Sequence, residues 1–121
     1  MSEPLSSLSE ATDAVVEFRD ARDWVQYHTP EHLSRALSIE ASELEEEFLW
    51  KGPEEVQSYV ETEKGREAIR EEIGDVLIYA LLFCERTGID VLDAISSKLE
   101  KNGEKYPVRE ARGRATLEDG K

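Results

Sequence analysis

Two short acidic clusters carry the residue types and spacing for chemistry: Glu40 with Glu43, an ExxE, and Glu72 with Asp75, an ExxD. On a helix, residues three or four apart are neighbours on one face. Wound at about 100° per residue, Leu33, Ala36, Leu37, Leu44 and Phe48 share one side of the first stretch. Glu40, Glu43 and Glu47 fall in the same arc, while Glu45 and Glu46 point elsewhere. In the second stretch Ile69, Ile73, Val76 and Phe83 form an apolar stripe, with Glu72, Asp75 and Tyr79 along its edge. Carboxylates facing a core require cations. Two such helices set face to face would gather four carboxylates, and all-oxygen ligation suits Mg²⁺ or Mn²⁺. On a chain that is 36% charged, one ExxE reads most simply as a solvated face. Two pairs, both in or beside apolar arcs, favour a metal.

The elements that must hold these residues are helical. Residues 1–8 read as a flexible lead-in, and Ser9 to Tyr27 as a first helix with Ala11, Val15, Phe18 and Val25 inward. Arg22 falls inside that arc, either laying its stem along the core or meeting an inward acid. Thr29 and Pro30 make a helix start, and Gly52-Pro53 a stop after about Trp50. Residues 54–64 read as a polar connector with one turn around Glu55 to Tyr59. A third helix is expected from about Arg66 to Gly88, apolar nearly all round beyond Val76 and therefore central or at a subunit interface. Asp90 caps a fourth, with Leu92, Ile95 and Leu99 inward, ending near Gly103. The expectation is an all-α, antiparallel four-helix bundle completed by oligomerisation. One helical domain over residues 9–108 precedes a basic tail at 109–121.

At 121 residues the chain has room for one core. Its net charge of −13 argues against general binding to nucleic acid or to anionic membranes. The single cysteine, Cys84, lies in an apolar run and reads as an inert core thiol. No signal peptide is visible and no apolar run approaches a membrane span, so the expected location is cytoplasmic. Charge is uneven, however: Lys98 to Arg114 holds six basic and three acidic residues. An acidic metal site beside a basic segment suits a metal-bridged polyphosphate. A basic tail pairing with an acidic body, without chemistry, accounts for the same charges equally well. His28 and His32 are spaced for zinc but lack a third ligand nearby. Neither acidic cluster has the Glu-x-x-His of a di-iron bundle.

Taken in order, these segments resemble the all-α nucleoside triphosphate pyrophosphohydrolases, the MazG-like superfamily, whose signature is ExxE, a variable gap and ExxD. Here the gap spans 44–71. The nearer likeness is to the dCTP pyrophosphatase branch. Its segments are matched by Arg22-Asp23-Trp24-Val25-Gln26-Tyr27-His28, Phe48-Leu49-Trp50-Lys51, Asp75-Val76-Leu77-Ile78-Tyr79, and the run from Lys98 through Asn102 and Lys105 to Tyr106-Pro107-Val108. The likeness covers about Phe18 to Ala115. It implies Mg²⁺-dependent hydrolysis of a deoxynucleoside triphosphate, dCTP or a modified dCTP preferred, to monophosphate and pyrophosphate. Glu40, Glu43, Glu72 and Asp75 would be catalytic and hold the metal. Trp24, Trp50 and Tyr79 would form the base pocket with His28 close by, and Lys98 and Asn102 would meet phosphates or sugar with Lys105 or Tyr106 nearby. Some relatives carry a further glutamate where this chain has Ile39, so the general base stays unassigned; Glu47 could support the site. The chain would be a homo-oligomer, dimer or tetramer, clearing the nucleotide pool. The alternatives are a non-catalytic acidic helical module, or the same chemistry on dUTP or a broad set of nucleotides.

Overall fold

A computed structural model describes residues 3–115, and every regular element in them is a helix. Helix α1, Leu8–Ala21, starts where the Ser7 side chain accepts from the Glu10 amide at 3.1 Å. It ends earlier than its apolar periodicity implies, because Asp23 adopts a left-handed φ of 52°. The chain turns there into a short 3₁₀ segment, Val25–Tyr27. Helix α2, Pro30–Glu46, has the Thr29 cap and the proline in its first turn. Its expected last turn tightens into i→i+3 bonds from Glu47, Phe48 and Leu49, and is closed by Trp50 at φ 65°.

The segment expected as a connector is a full helix, α3, Pro53–Glu61. Thr62 ends it and begins α4, Glu63–Thr87. Its hydroxyl donates to the Tyr59 carbonyl at 2.8 Å and accepts from the Gly65 amide at 3.0 Å. Gly88, at φ 71°, closes α4 as expected of a left-handed cap.

Helices α1–α4 pack into one core in which α4 is central, touching each of the other three and α2 most extensively. The fourth member of this bundle is therefore α3, not the helix after Gly88. Among the described residues, Leu33 on α2 and Leu82 on α4 are its buried large apolar side chains. Arg19, 4% exposed, is buried with them and pairs with Asp20 and with Glu85 of α4. The expected inward arginine, Arg22, is exposed instead, its guanidinium 3.6 Å from the centroid of the Phe18 ring. A cation stacked on an aromatic face stays hydrated on its other side, so Arg22 needs no buried acid.

After Gly88 the chain forms a second compact unit. Its main helix, α5, Val91–Lys105, is capped by Asp90, whose carboxylate accepts from the Asp93 amide at 2.8 Å. A four-residue helix, α6, Val108–Ala111, follows. The basic tail beyond residue 115 lies outside the described residues. Among those described, no helix is long and apolar enough to cross a membrane.

Candidate active site

Glu40, Glu43 and Glu47 repeat along α2 at three- and four-residue intervals, and Glu72, Asp75 and Tyr79 repeat likewise along α4. Because α2 and α4 pack along one another, the two rows meet. Glu40, Glu43 and Glu72 each offer a carboxylate oxygen, and these oxygens lie within 4.8 Å of one another. Asp75 stands outside that trio, but its charge acts on both Glu40 and Glu72.

Crowding shows in the acidities. A hydrogen bond with Glu43, then burial, then the charges of Glu43, Asp75 and Glu72 push Glu40 up to about 7. Glu72 is raised chiefly by burial and next by Glu43, Asp75 and Glu47. Its Oε2 is buried without a hydrogen-bond partner. Among the described residues, no lysine or arginine forms an ion pair with any of these acids. A divalent cation fits: the donors are all oxygens, the charge is uncompensated, and one buried oxygen lacks a partner. The Glu-rich cluster can coordinate such an ion.

Beside it lies a cavity of about 350 Å³, lined among others by Phe18, Arg19, Trp24, His28, Asp75 and Tyr79. Trp24 meets Phe18 edge-on, with ring centroids 5.9 Å apart. The Nδ1 of His28 is buried without a partner, and its pKa is lowered by burial and then by the charges of Arg19 and Arg86. Arg86 also donates from Nε to the His28 carbonyl at 3.2 Å. The Tyr79 hydroxyl is raised by burial and then by Glu40, Asp75 and Glu43, so this ring connects cavity and acids.

The sequence pattern of the MazG-like family matches residues 36–117, which hold both acidic clusters. The chain belongs to the MazG-like family. It is similar to the mouse dCTP pyrophosphatase 1, 38% identical over 112 residues, or 93% of this chain and 66% of that protein. The human dCTP pyrophosphatase 1 is 37% identical over 109 residues, 90% of this chain and 64% of that one. The chain thus spans just under two thirds of these mammalian relatives. Among solved structures, a pyrophosphatase from Archaeoglobus fulgidus matches at a TM-score of 0.77 and 41% identity, covering 88% of this chain and 98% of that one.

Within this MazG-like domain, Trp24, His28 and Tyr79 line one cavity together with Asp75. Trp50 does not join them: it stands at the end of α2, 91% exposed. Lys98, Asn102, Lys105 and Tyr106 belong to the unit after Gly88, on and just beyond α5. There the Tyr106 amide donates to the Asn102 carbonyl at 2.7 Å, and the Lys105 ammonium lies 5.2 Å from the Tyr106 ring centroid. Two residues near the site were not foreseen from the sequence. Arg19 is the buried cation at the cavity wall. Tyr59 donates its hydroxyl to the Glu47 carboxylate. Its only sequence signal was a place in the apolar set Val56, Tyr59 and Val60.

Proposed function

We propose that this chain is a Mg²⁺-dependent nucleoside triphosphate pyrophosphohydrolase that leaves a monophosphate and releases pyrophosphate, with dCTP or a modified dCTP preferred. The observation that carries this reading is the convergence of Glu40, Glu43 and Glu72, with an orphaned Glu72 oxygen and no basic partner among the described residues, beside an aromatic cavity. Glu40, Glu43, Glu72 and Asp75 hold the metal, and Mn²⁺ satisfies the same donors. When bound, the metal lowers the pKa of a water and neutralises charge on the phosphate oxygens.

The cavity takes the base. Trp24, Tyr79 and Phe18 supply aromatic surface, and stacking contributes about 1–3 kcal/mol per base. Stacking alone does not select a base. His28 does so here: its lowered pKa keeps it neutral, and its unpartnered Nδ1 accepts a hydrogen from the exocyclic amino group of cytosine. Asp75 and Tyr79 line the same cavity, and the charges of Glu40, Asp75 and Glu43 act on the Tyr79 hydroxyl, so the base sits one nucleotide's reach from the metal. Lys98 and Asn102, with Lys105 and Tyr106, take phosphate or sugar oxygens. Water attacks the α-phosphorus, so that pyrophosphate leaves as one piece.

The active form is a homo-oligomer, dimer or tetramer. Among the described residues, Leu33 and Leu82 are the large apolar side chains that are buried, while Ile73, Leu77 and Ile78 of the central helix are exposed. Such faces need a cover, and a second copy provides one. Trp50, exposed on a left-handed backbone, is then presented to the neighbouring copy's base. The enzyme works on the cytoplasmic nucleotide pool and, at a net charge of −13, not on nucleic acid.

The deciding experiment incubates the purified protein with each deoxynucleotide and Mg²⁺ and identifies the phosphate product. Pyrophosphate with dCTP or 5-methyl-dCTP, ahead of dUTP and dATP, is the expected result. Equal turnover of all four removes the cytosine preference. No product from any nucleotide leaves an acidic helical module that does no catalysis.

A further inference from the structure

Helix α3 carries no acid of the cluster, yet it is fastened to the acid-bearing helix at one polar point. The Tyr59 hydroxyl donates to Oε1 of Glu47, one turn beyond Glu43 on α2. Both ends of this tyrosine are fixed. Its carbonyl accepts from the Thr62 hydroxyl at 2.8 Å, and the backbone of Gly65 packs so closely on that carbonyl that a side chain there would collide with it. Its ring carries the Lys51 ammonium 4.4 Å from the centroid, and the same ammonium donates to the Glu47 carbonyl at 2.7 Å. Lys51 thus binds the glutamate's backbone and the tyrosine's face, and among the described residues the Glu47 carboxylate is left to the hydroxyl. Glu47 follows Glu40 and Glu43 at helical spacing on the same side of α2, and its charge acts on Glu72.

We infer that Tyr59 is a positioning residue for the acid site: its hydroxyl holds the Glu47 carboxylate toward Glu43 and Glu72, where Glu47 supplies the donor set with a further oxygen. A glutamate side chain loses up to about 2 kcal/mol of rotamer freedom when ordered. A hydroxyl donating to a carboxylate is a strong enough bond to offset that loss. The ordering is done before any ion arrives, so the ion does not have to do it.

This rests on the reading of Glu40, Glu43 and Glu72 as the metal centre, and the test separates the two. Mg²⁺ binding is measured by calorimetry on wild type, Glu43→Ala, Tyr59→Phe, Glu47→Gln and the double variant Tyr59→Phe/Glu47→Gln, with a thermal melt of each metal-free protein. Tyr59→Phe keeps the ring under Lys51 and removes only the hydroxyl. The expected result is Mg²⁺ affinity about tenfold weaker, in the range seen for loss of an outer partner of a ligand, with the melting temperature unchanged. The double variant should bind no more weakly than Glu47→Gln. Wild-type affinity in Tyr59→Phe, while Glu43→Ala loses the ion, overturns the role of Tyr59 and leaves the centre standing. A Tyr59→Phe loss that persists undiminished in the Glu47→Gln background also overturns it, because the tyrosine is then not acting through Glu47. Unchanged binding in Glu43→Ala removes the centre itself, and this inference with it.

Discussion

Glu40 is where the acid cluster's repulsion can be read most directly. Its hydrogen bond with Glu43, its burial and the surrounding charges hold its carboxyl at about 7 in the folded chain, against about 4.3 for a free glutamate. A folded value above the unfolded one means that the bound proton stabilises the fold. That contribution is complete below the unfolded value and is lost as pH rises through about 7. The metal-free protein should therefore melt at a lower temperature at about pH 8 than at about pH 6, and saturating Mg²⁺ should abolish the difference. The same proton competes with the ion, so Mg²⁺ binding should tighten over that interval and release protons. Calorimetry in two buffers of different ionisation enthalpy measures the release, and a flat response in both experiments contradicts the assignment. Glu43→Gln separates stability from binding. Removing one of the crowded charges should raise the metal-free melting temperature by a few degrees while weakening Mg²⁺ about tenfold or more. The acid pairs were legible in the sequence because helical spacing is local. Glu47's partner and the burial of Arg19 were not, since they depend on contacts across 12 and 66 residues of chain.

Helix α3 gives the strongest case of an element that the sequence underspecified. Its three glutamates and single short apolar set, Val56, Tyr59 and Val60, carry little periodic signal over nine residues. Its helicity comes from packing on α4 and from Gly52-Pro53 and Thr62 at its ends. Long α4, by contrast, was readable from Arg66 down to the Gly88 cap, with only its first turn missed, because 25 residues repeat the pattern many times. The joint between the two sits at Thr62 and Gly65. In an ordinary helix, Gly→Ala is favourable by about 1 kcal/mol. At Gly65 the added methyl would drive into the Tyr59 carbonyl, so Gly65→Ala should instead destabilise the protein by about 1–3 kcal/mol in urea unfolding. Thr62→Ala, which removes the cap on α4, should cost about 1 kcal/mol. A Gly65→Ala protein as stable as wild type would show that α3 can slide away from α4 at little cost.

The folded chain leaves too much apolar surface uncovered for its size. Leu77, in the middle of the central helix, is 56% exposed, and Trp50 is more exposed still. An all-helical architecture was legible in the periodicity. What covers the outer face of α4 was not, because a stripe apolar on several sides reads alike in a monomer's centre and at a subunit interface. Substitution separates them. On a free surface, Leu77→Glu changes stability by no more than about 0.5 kcal/mol; in a packed interface it should convert the assembly to monomers in sedimentation. Trp50 allows a sharper test, since its backbone is held left-handed at φ 65°, a conformation costly for a residue with a Cβ. If its ring completes the site of a neighbouring copy, Trp50→Ala and Glu43→Gln chains should each be inactive as pure assemblies. Co-expressed, they should recover about a quarter of wild-type activity, because in a random two-fold pairing half the pairs are mixed. Each mixed pair holds one site with both an intact Glu43 and a Trp50 from its partner. Activity no higher than that of the better single variant would place Trp50 at its own chain's site, or at none.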